Sequence, residues 1–394
     1  MISAWRISKN FVFSVATVLI AASLGFCGIA AAQPAQNQAW CNERGSTVDQ
    51  KIGGCTGLIE SGSESPDGLA VALTIRGRAY RDKGDLDRAL ADFDRAISAA
   101  PKYKNAYLER GLLYKDNKRD FERAIADFSV AIGLDPRDPS GLIDRGLVYR
   151  IQGQYDSALA DYDRVVEFCS QKFCSNYGAE AAFNDRGTVY AAKKDYAHAI
   201  ADYNEAIRLN PKSALAFSNR GAAYQAERDL DRAIADFDRA IQLDPKLVIA
   251  YIGRGGAYSL KHDYNRAIAD LDEATRLDPK SAAAFDRRCW TRALTGHDLT
   301  QALADCNESL RLRPDNINAL NSRALVQFKL GAFDQAASDY DAAVKLNGQD
   351  ADSLYGRGLA KLKNGDATGG NADITAAKVM KPDIAVVFAD RGLK

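Results

Sequence analysis

A 34-residue unit that recurs along the chain constrains the fold more than any other feature of the sequence. The copy from Phe217 to Pro245 reads FSNRGAAYQAERDLDRAIADFDRAIQLDP. Its apolar and small residues recur every three or four positions, stop at a polar break and then resume, which predicts two consecutive amphipathic helices. Gly221 and Ala233 are small where the two helices must approach closely, whereas Phe237 is large enough to fill the space between them. Pro245 should end the second helix, because proline lacks a backbone N–H and its ring clashes in a helix interior.

The spacing Phe-x3-Gly-x2-Tyr, then Ala-x3-Phe, then Pro, in a period of 34 residues, resembles the tetratricopeptide repeat. This resemblance implies an all-α chain, a right-handed α-solenoid of about nine helix-turn-helix repeats in which each repeat packs on its neighbours. The predicted repeats are 70–103, 104–138, 139–172, 180–213, 214–247, 248–281, 282–316, 317–350 and 351–384.

The segments that flank the repeats are predicted to be caps. Residues 33–69 contain a degenerate helical unit and a loop rich in Gly, Ser, Pro and Asp, and residues 385–394 begin a tenth first helix. The terminal units of a solenoid are usually atypical, because their outer face meets water. We expect Phe388 to pack onto the ninth repeat. We also expect looser packing in the last three repeats, whose eleventh position holds Arg292, Gln327 or Lys361 in place of Tyr.

The N-terminal segment has the pattern of an export signal. Arg6 and Lys9 precede the apolar run Phe11 to Ala32, which ends in three alanines before Gln33. Small residues at that place are typical of a cleavage site, so we predict a signal peptide over 1–32 and a periplasmic or extracellular protein. The alternative is an uncleaved N-terminal membrane anchor, because the run is long enough to span a bilayer. No later stretch of the sequence is long and apolar enough to do so.

Charge argues against nucleic acid as a partner. The chain has 52 basic and 52 acidic residues, and the predicted leader removes two of the basic ones. Modules that bind nucleic acid usually show a basic excess or a basic stripe. The balance therefore predicts a partner that is a protein or a peptide.

Six cysteines remain when Cys27 is removed with the leader, and they form three pairs of neighbours in the sequence. An even number of cysteines in an exported chain is typical of disulfides, although six of them allow 15 connectivities. In the last pair the cysteines replace a glycine and an aromatic residue that face each other in the repeat, so either a disulfide or two buried thiols could fill this space. The candidate pairs are Cys41 with Cys55, Cys169 with Cys174, and Cys289 with Cys306.

Every repeat carries Arg at its seventh position and Asp at its twenty-third. The two positions lie on opposite helices of one hairpin, at nearly equal distances from the turn. We therefore expect structural ion pairs that join helices within or between repeats. The residues are Arg76, Arg110, Arg145, Arg186, Arg220, Arg254, Arg288, Arg323 and Arg357, with Asp92, Asp127, Asp161, Asp202, Asp236, Asp270, Asp305, Asp339 and Asp373.

The sequence contains no pattern that predicts catalysis. His198, His262 and His297 fall in separate repeats, at or near helix starts and turns, which favours surface histidines over a metal site or a catalytic base. The glycines of the repeats lie within predicted helices and form no phosphate-binding loop. We therefore predict a protein that is not an enzyme and that has no metal and no cofactor.

The resemblance implies that the first helices of the repeats line a concave groove for a protein or peptide. A basic stripe in the first three repeats could hold an acidic or C-terminal peptide, and an aromatic patch near the end of the chain is a second candidate. Each candidate has a structural alternative. The cations of the stripe could be ordinary surface charges, and Trp290 could pack internally. The candidate residues are Arg78, Arg81, Leu112, Lys115, Leu147 and Arg150 for the stripe, and Trp290, Asn321, Leu325, Tyr355 and Leu359 for the patch.

These observations predict a non-enzymatic scaffold that binds a peptide segment in the groove. The alternative is a structural spacer or assembly component of a cell-envelope complex, which would use its edges or caps. The sequence leaves the partner and the oligomeric state open.

Overall fold

A computed structural model describes residues 35–42, 45–170, 176–296 and 298–393 of the chain. The predicted signal peptide, Cys174 and His297 lie outside these ranges. Within them the regular structure is entirely helical. The helices are α1 (35–42), α2 (Val48–Ser61), α3 (Pro66–Asp82), α4 (Leu86–Ala99), α5 (Lys104–Leu113), α6 (Phe121–Leu134), α7 (Pro139–Ile151), α8 (Tyr155–Ser170), α9 (Asn176–Ala192), α10 (Tyr196–Leu209), α11 (Ala214–Ala226), α12 (Leu230–Leu243), α13 (Val248–Leu260), α14 (Tyr264–Leu277), α15 (Ala282–Thr295), α16 (Leu299–Leu312), α17 (Ile317–Lys329), α18 (Phe333–Leu346), α19 (Ala351–Lys363), α20 (Ala367–Met380) and α21 (Ile384–Asp390).

The chain divides into two compact units, Met1–Ala182 and Phe183–Lys394. The division falls within α9. In each unit, consecutive helices pair as hairpins, and each hairpin packs on the next along the chain. Among the described residues, no helix combines the length and the apolar character that crossing a bilayer requires.

In six of the described hairpins, the second helix begins with an aspartate that caps it. The carboxylate of Asp229, for example, accepts a hydrogen bond from the backbone N–H of Arg232 at 3.1 Å. Asp85, Asp195 and Asp263 make the same contact with the residue three positions later. An aspartate cap satisfies a backbone donor that the helix itself leaves without a partner.

Glycine at the eighth position of a repeat allows the two helices of a hairpin to meet. A Cβ atom built on Gly77 would lie 2.6 Å from the ring of Phe93, and one built on Gly221 would lie 3.1 Å from the ring of Phe237. Both rings are almost fully buried. A side chain at these glycines would therefore force the helices apart.

The arginine and aspartate of each repeat form the predicted ion pair. In the fifth repeat, Arg220 donates from Nε and Nη2 to the two carboxylate oxygens of Asp236, both at 2.7 Å. The same pair forms in every repeat, which confirms the prediction. Two parallel hydrogen bonds fix both the distance and the orientation of the helices.

The third nitrogen of the guanidinium of the repeat arginine, Nη1, connects neighbouring repeats. Nη1 of Arg254 donates to Asp238 at 2.5 Å, and Nη1 of Arg110 donates to Asp94 at 2.6 Å. Both acceptors lie on the second helix of the preceding repeat. Asp236 and Asp238, two positions apart on one helix, therefore serve two arginines. Asp236 binds Arg220 of its own repeat, and Asp238 binds Arg254 of the following repeat.

The expectation of looser packing in the last three repeats is wrong. Residues from α15 to α21 form one continuous core cluster, the largest in the described part of the chain. The residues that replace Tyr keep their polar ends satisfied in two of the three repeats: Arg292 binds Asp305, and Lys361 binds Asp373 at 2.9 Å. The ring of Phe388 lies 4.8 Å from that of Tyr355 in the ninth repeat, as predicted for the cap.

We expect Arg220→Leu to lower the urea midpoint of unfolding, because it leaves the carboxylate of Asp236, whose side chain is 9% exposed, without its partner. A buried group left unpaired costs about 1–3 kcal/mol. The matched control is Arg208→Leu, which breaks an exposed pair with Glu205 and should cost roughly 0–1 kcal/mol. Equal midpoints for the two variants would contradict a structural role for the pair.

Candidate functional site

The basic stripe predicted for the first repeats does not present three free charges. Arg81 binds Glu109 at 2.8 Å, and Arg78 lies 3.6 Å from the same carboxylate. Lys115 is buried and binds Asp144 at 2.9 Å. These acids lie on the first helix of the following repeat, so the cations join repeats to one another. The idea of a free basic stripe is corrected accordingly, and Arg78, whose side chain is 47% exposed, is the most accessible of these three cations.

The other residues predicted for this stripe are half-buried. Leu112 packs against the core cluster around Tyr114 and Phe128. Leu147 and Arg150 are also half-buried, and Nε of Arg150 has no hydrogen-bond partner among the described residues. The stripe is thus mainly part of the packing between helices.

Three residues of the predicted aromatic patch line a common cavity of about 230 Å³. Trp290 projects from α15, and Asn321 and Leu325 project from α17. The other two predicted residues do not line the cavity. Tyr355 is buried and packs against Phe388, which does line it. Leu359 packs against the core cluster that runs from α15 to α21. We call this space the α15–α17 cavity. The remaining lining residues are Asp286, Arg287, Asn318, Ser322, Tyr340, Asp352, Phe388 and Arg391.

The C-terminal turn contributes an arginine to the cavity. The guanidinium of Arg391 lies over the ring of Trp290, 5.0 Å from its centroid, and binds Asp352 at 2.5 Å. A cation over an indole face is stabilised by the quadrupole of the ring. Trp290 is therefore neither a free surface residue nor purely a core residue, because one of its contacts is with a charged group at the cavity wall.

Asn321 is held in place by the ninth repeat. Its side-chain NH₂ donates to Asp350 at 2.9 Å, and its carbonyl oxygen accepts from the hydroxyl of Ser353 at 2.8 Å. Because both of these bonds are to groups of α19 and its cap, the orientation of the amide at the cavity wall is fixed.

Asp286 is the functional candidate that the sequence analysis missed. Its side chain accepts a hydrogen bond from the hydroxyl of Ser322 at 2.8 Å, and the residue is only 8% exposed. Burial raises the pKa of its carboxyl, although Ser322 and the nearby charge of Arg287 oppose this shift. The position of Asp286, four residues before Trp290 on α15, could have drawn attention to it. Its lack of a close cation, however, depends on the tertiary structure.

The described residues offer no arrangement that suits a metal ion. No group of three or more His, Cys, Asp or Glu side chains within the described ranges could hold a metal ion. His198 is bound to the cap of its own helix through Asp195 at 2.8 Å, and His262 contacts the hydroxyl of Tyr264 at 2.8 Å. Both contacts are local ones at helix starts.

Two of the predicted cysteine pairs are placed as disulfides. The Cα atoms lie 4.8 Å apart in Cys41–Cys55 and 5.4 Å apart in Cys289–Cys306. Both distances are in the range that a disulfide can bridge. The pairing of Cys169 with Cys174 stays a prediction, because Cys174 lies outside the described residues.

Profiles of known protein families match most of the length of this chain. Profiles described as the tetratricopeptide repeat match residues 76–139, 114–172, 214–247, 248–281, 291–351 and 321–377, and a profile described as the TPR repeat matches 187–227. The chain belongs to the tetratricopeptide repeat family, which confirms the all-α repeat fold predicted from the sequence.

Solved structures support the fold alone. A tetratricopeptide repeat protein from Parabacteroides merdae is 19% identical, with a TM-score of 0.54, over 66% of this chain and 99% of that one. The Cut9–Hcn1 assembly of the APC/C is 13% identical, with a TM-score of 0.57, over 88% of this chain and 83% of that one. The comparison with curated protein sequences gave no match.

We expect Asp286→Asn to raise the unfolding midpoint at neutral pH. Because the pKa of Asp286 is raised in the folded protein, folding favours its protonated form. The stability of the wild type should therefore fall as pH rises from the unfolded pKa of an aspartate, about 4, through the folded value. Asn has no charge to bury, so the gain should vanish in acid, where the wild-type carboxyl is protonated.

The matched control is Asp315→Asn, at an exposed aspartate of the turn between α16 and α17. Urea unfolding at neutral and at acidic pH gives the difference in midpoint between each variant and the wild type. A lower midpoint for Asp286→Asn than for the control at neutral pH would contradict the assignment of a destabilising buried charge.

Proposed function

We propose that this protein is a non-enzymatic scaffold that binds a peptide segment of a partner protein in the α15–α17 cavity. Tetratricopeptide repeats form extended surfaces that bind other proteins. The observation that carries the proposal is the cavity itself, in which an indole, a fixed amide and a buried carboxylate converge between first helices of neighbouring repeats. Seven of the eleven lining residues are polar or charged, and polar groups held in a fixed orientation give a binding site its specificity.

The size of the cavity favours a single side chain of a longer segment. Its volume of about 230 Å³ is below the roughly 300–1,000 Å³ that is typical of pockets for small molecules. A peptide could insert one residue there and lay the rest along the first helices. Aromatic anchors at the centre of a contact often carry most of the binding energy, and Trp290 is placed to do so.

An acidic segment bound to the N-terminal repeats is less well supported. Arg81 and Lys115 already bind carboxylates of this chain, so an acidic ligand would have to compete with these internal partners. Arg78 is the better target for a test of this ligand class. Charge reversal at Lys115 would damage the packing itself, because its side chain is buried.

We expect Trp290→Ala to reduce peptide binding by about tenfold or more, since the loss of an aromatic hot spot usually costs at least about 2 kcal/mol. The full chain would be used to select binders from a displayed library of short random peptides. The affinity of the selected peptides would then be measured by fluorescence anisotropy. The matched control is Val130→Ala, at an apolar residue that is 42% exposed on α6, a second helix.

Selected peptides that bind Trp290→Ala and the wild type equally would show that binding occurs elsewhere on the chain. A library that gives no enriched peptides would contradict the peptide-binding function.

We also propose that the protein is exported. The support is the N-terminal pattern before Gln33, together with cysteines placed as disulfides, since disulfides persist in oxidising compartments. When the chain is made with its leader in a bacterium with a periplasm, non-reducing mass mapping should find an N-terminus at Gln33. It should also find linked peptides for Cys41–Cys55 and Cys289–Cys306. A retained leader, or free thiols in the secreted fraction, would contradict export or the pairing, respectively.

A role as a spacer or assembly component of a cell-envelope complex is the second candidate function. It is supported by apolar side chains that are exposed at the last helices, namely Val379 at 81% and Val386 at 63%. The unit that ends a repeat array usually has a polar outer face, so exposed apolar side chains there favour contact with a partner. This role would be favoured if Val386→Glu lost the partners captured by crosslinking in cells while Trp290→Ala kept them.

A further inference from the structure

Two carboxylates line the α15–α17 cavity, and they differ in their partners. Asp352 binds the guanidinium of Arg391 at 2.5 Å and lies 3.5 Å from Nζ of Lys381. Asp286 is the more deeply buried of the two, yet it accepts its hydrogen bond from a neutral hydroxyl, that of Ser322. Within the described ranges, no basic nitrogen lies within ion-pair distance of Asp286.

A buried carboxylate without a cation is costly, because it loses its hydration without gaining a counter-ion. Arg287 is the nearest charge along the chain, but its side chain is exposed and interacts with Asp286 only at a distance. The raised pKa of Asp286 reports this unfavourable environment. A ligand that brought a positive charge into the cavity would compensate the cost.

The cavity already contains one example of such a group. Arg391 places its guanidinium against the ring of Trp290 and against a carboxylate, that of Asp352. An aromatic face beside a carboxylate is well suited to arginine, because the planar guanidinium stacks on rings and donates two parallel hydrogen bonds. Lysine offers a point charge without either of these contacts.

We propose that the α15–α17 cavity binds an arginine side chain of the partner segment, with Asp286 as its counter-ion and Trp290 beside it. This inference rests on the proposed peptide-binding function and names the ligand class of the same site. It is the reverse of the ligand chemistry predicted for the N-terminal stripe, where an acidic peptide was expected. The cavity accommodates one side chain. The arginine therefore accounts for the recognition of charge, and the rest of the segment adds affinity through its other contacts.

The probe is Nα-acetyl-arginine amide, and its control is Nα-acetyl-citrulline amide, which has the same length and shape but no charge. The full chain would carry 5-fluorotryptophan, and the ¹⁹F resonance of Trp290 would be assigned by its disappearance in Trp290→Phe. We expect the arginine amide to shift this resonance saturably. The citrulline amide should bind at least tenfold more weakly.

Asp286→Asn should weaken binding of the arginine amide about tenfold, because it keeps a hydrogen-bonding group of similar shape and removes the charge. Asp315→Asn, at an exposed aspartate, should leave the binding unchanged. The Asn variant is expected to fold, since the wild-type residue is a buried charge. The ¹⁹F spectrum without ligand verifies this directly.

The outcomes separate the inference from the function on which it rests. Equal binding of arginine and citrulline amides, or full binding by Asp286→Asn, overturns the inference even if selected peptides still depend on Trp290. Peptides that depend on Trp290 but contain no enriched basic residue overturn it as well. Binding of the arginine amide with no selected peptide would support the charge recognition and contradict the peptide-binding function.

Discussion

The bidentate pair between the seventh and twenty-third residues of each repeat is the interaction on which the rest of this structure depends. A guanidinium has enough donors to bind both oxygens of one carboxylate and still reach a second acceptor. In Arg254 these are Asp270 in its own hairpin and Asp238 in the preceding repeat. One side chain thereby sets the distance within a hairpin and the distance between hairpins. Because these charges are mostly shielded from water, they act as a geometrical constraint more than as a large source of stability.

With the helices held in this way, other positions are free to vary, and the variation is concentrated in the last three repeats. Cys289 and Cys306 stand where other repeats have a glycine and an aromatic residue, and Arg292 stands where they have a tyrosine. Arg292 compensates by binding Asp305, the same carboxylate that binds the regular arginine of that repeat. These departures from the repeat pattern therefore keep the core intact. The α15–α17 cavity lies beside these substitutions.

Asp286 differs from the aspartates of the framework around it in the partner that its carboxylate has. The aspartates of the ladder are buried with a guanidinium on both oxygens, whereas Asp286 is buried with a hydroxyl. A buried charge of this kind opposes folding, and the packed repeats on either side supply enough stability to hold it. A ligand that provided the missing positive charge would remove this cost. The buried carboxylate would therefore favour binding of a cationic ligand over a neutral one.

The sequence by itself determined the repeat, the helices and the register of the ladder, because these follow from local periodicity and from spacings that recur in every copy. The sequence also contained enough information to predict the ion pairs of Arg81 with Glu109 and of Lys115 with Asp144. Both pairs join the twelfth position of one repeat to the sixth position of the next. Only the tertiary structure decided which carboxylate lacks a cation and where the C-terminal arginine lies. Those contacts join residues far apart along the chain at positions that occur once, so no repeated pattern encodes them. Their geometry depends on how several helices pack together.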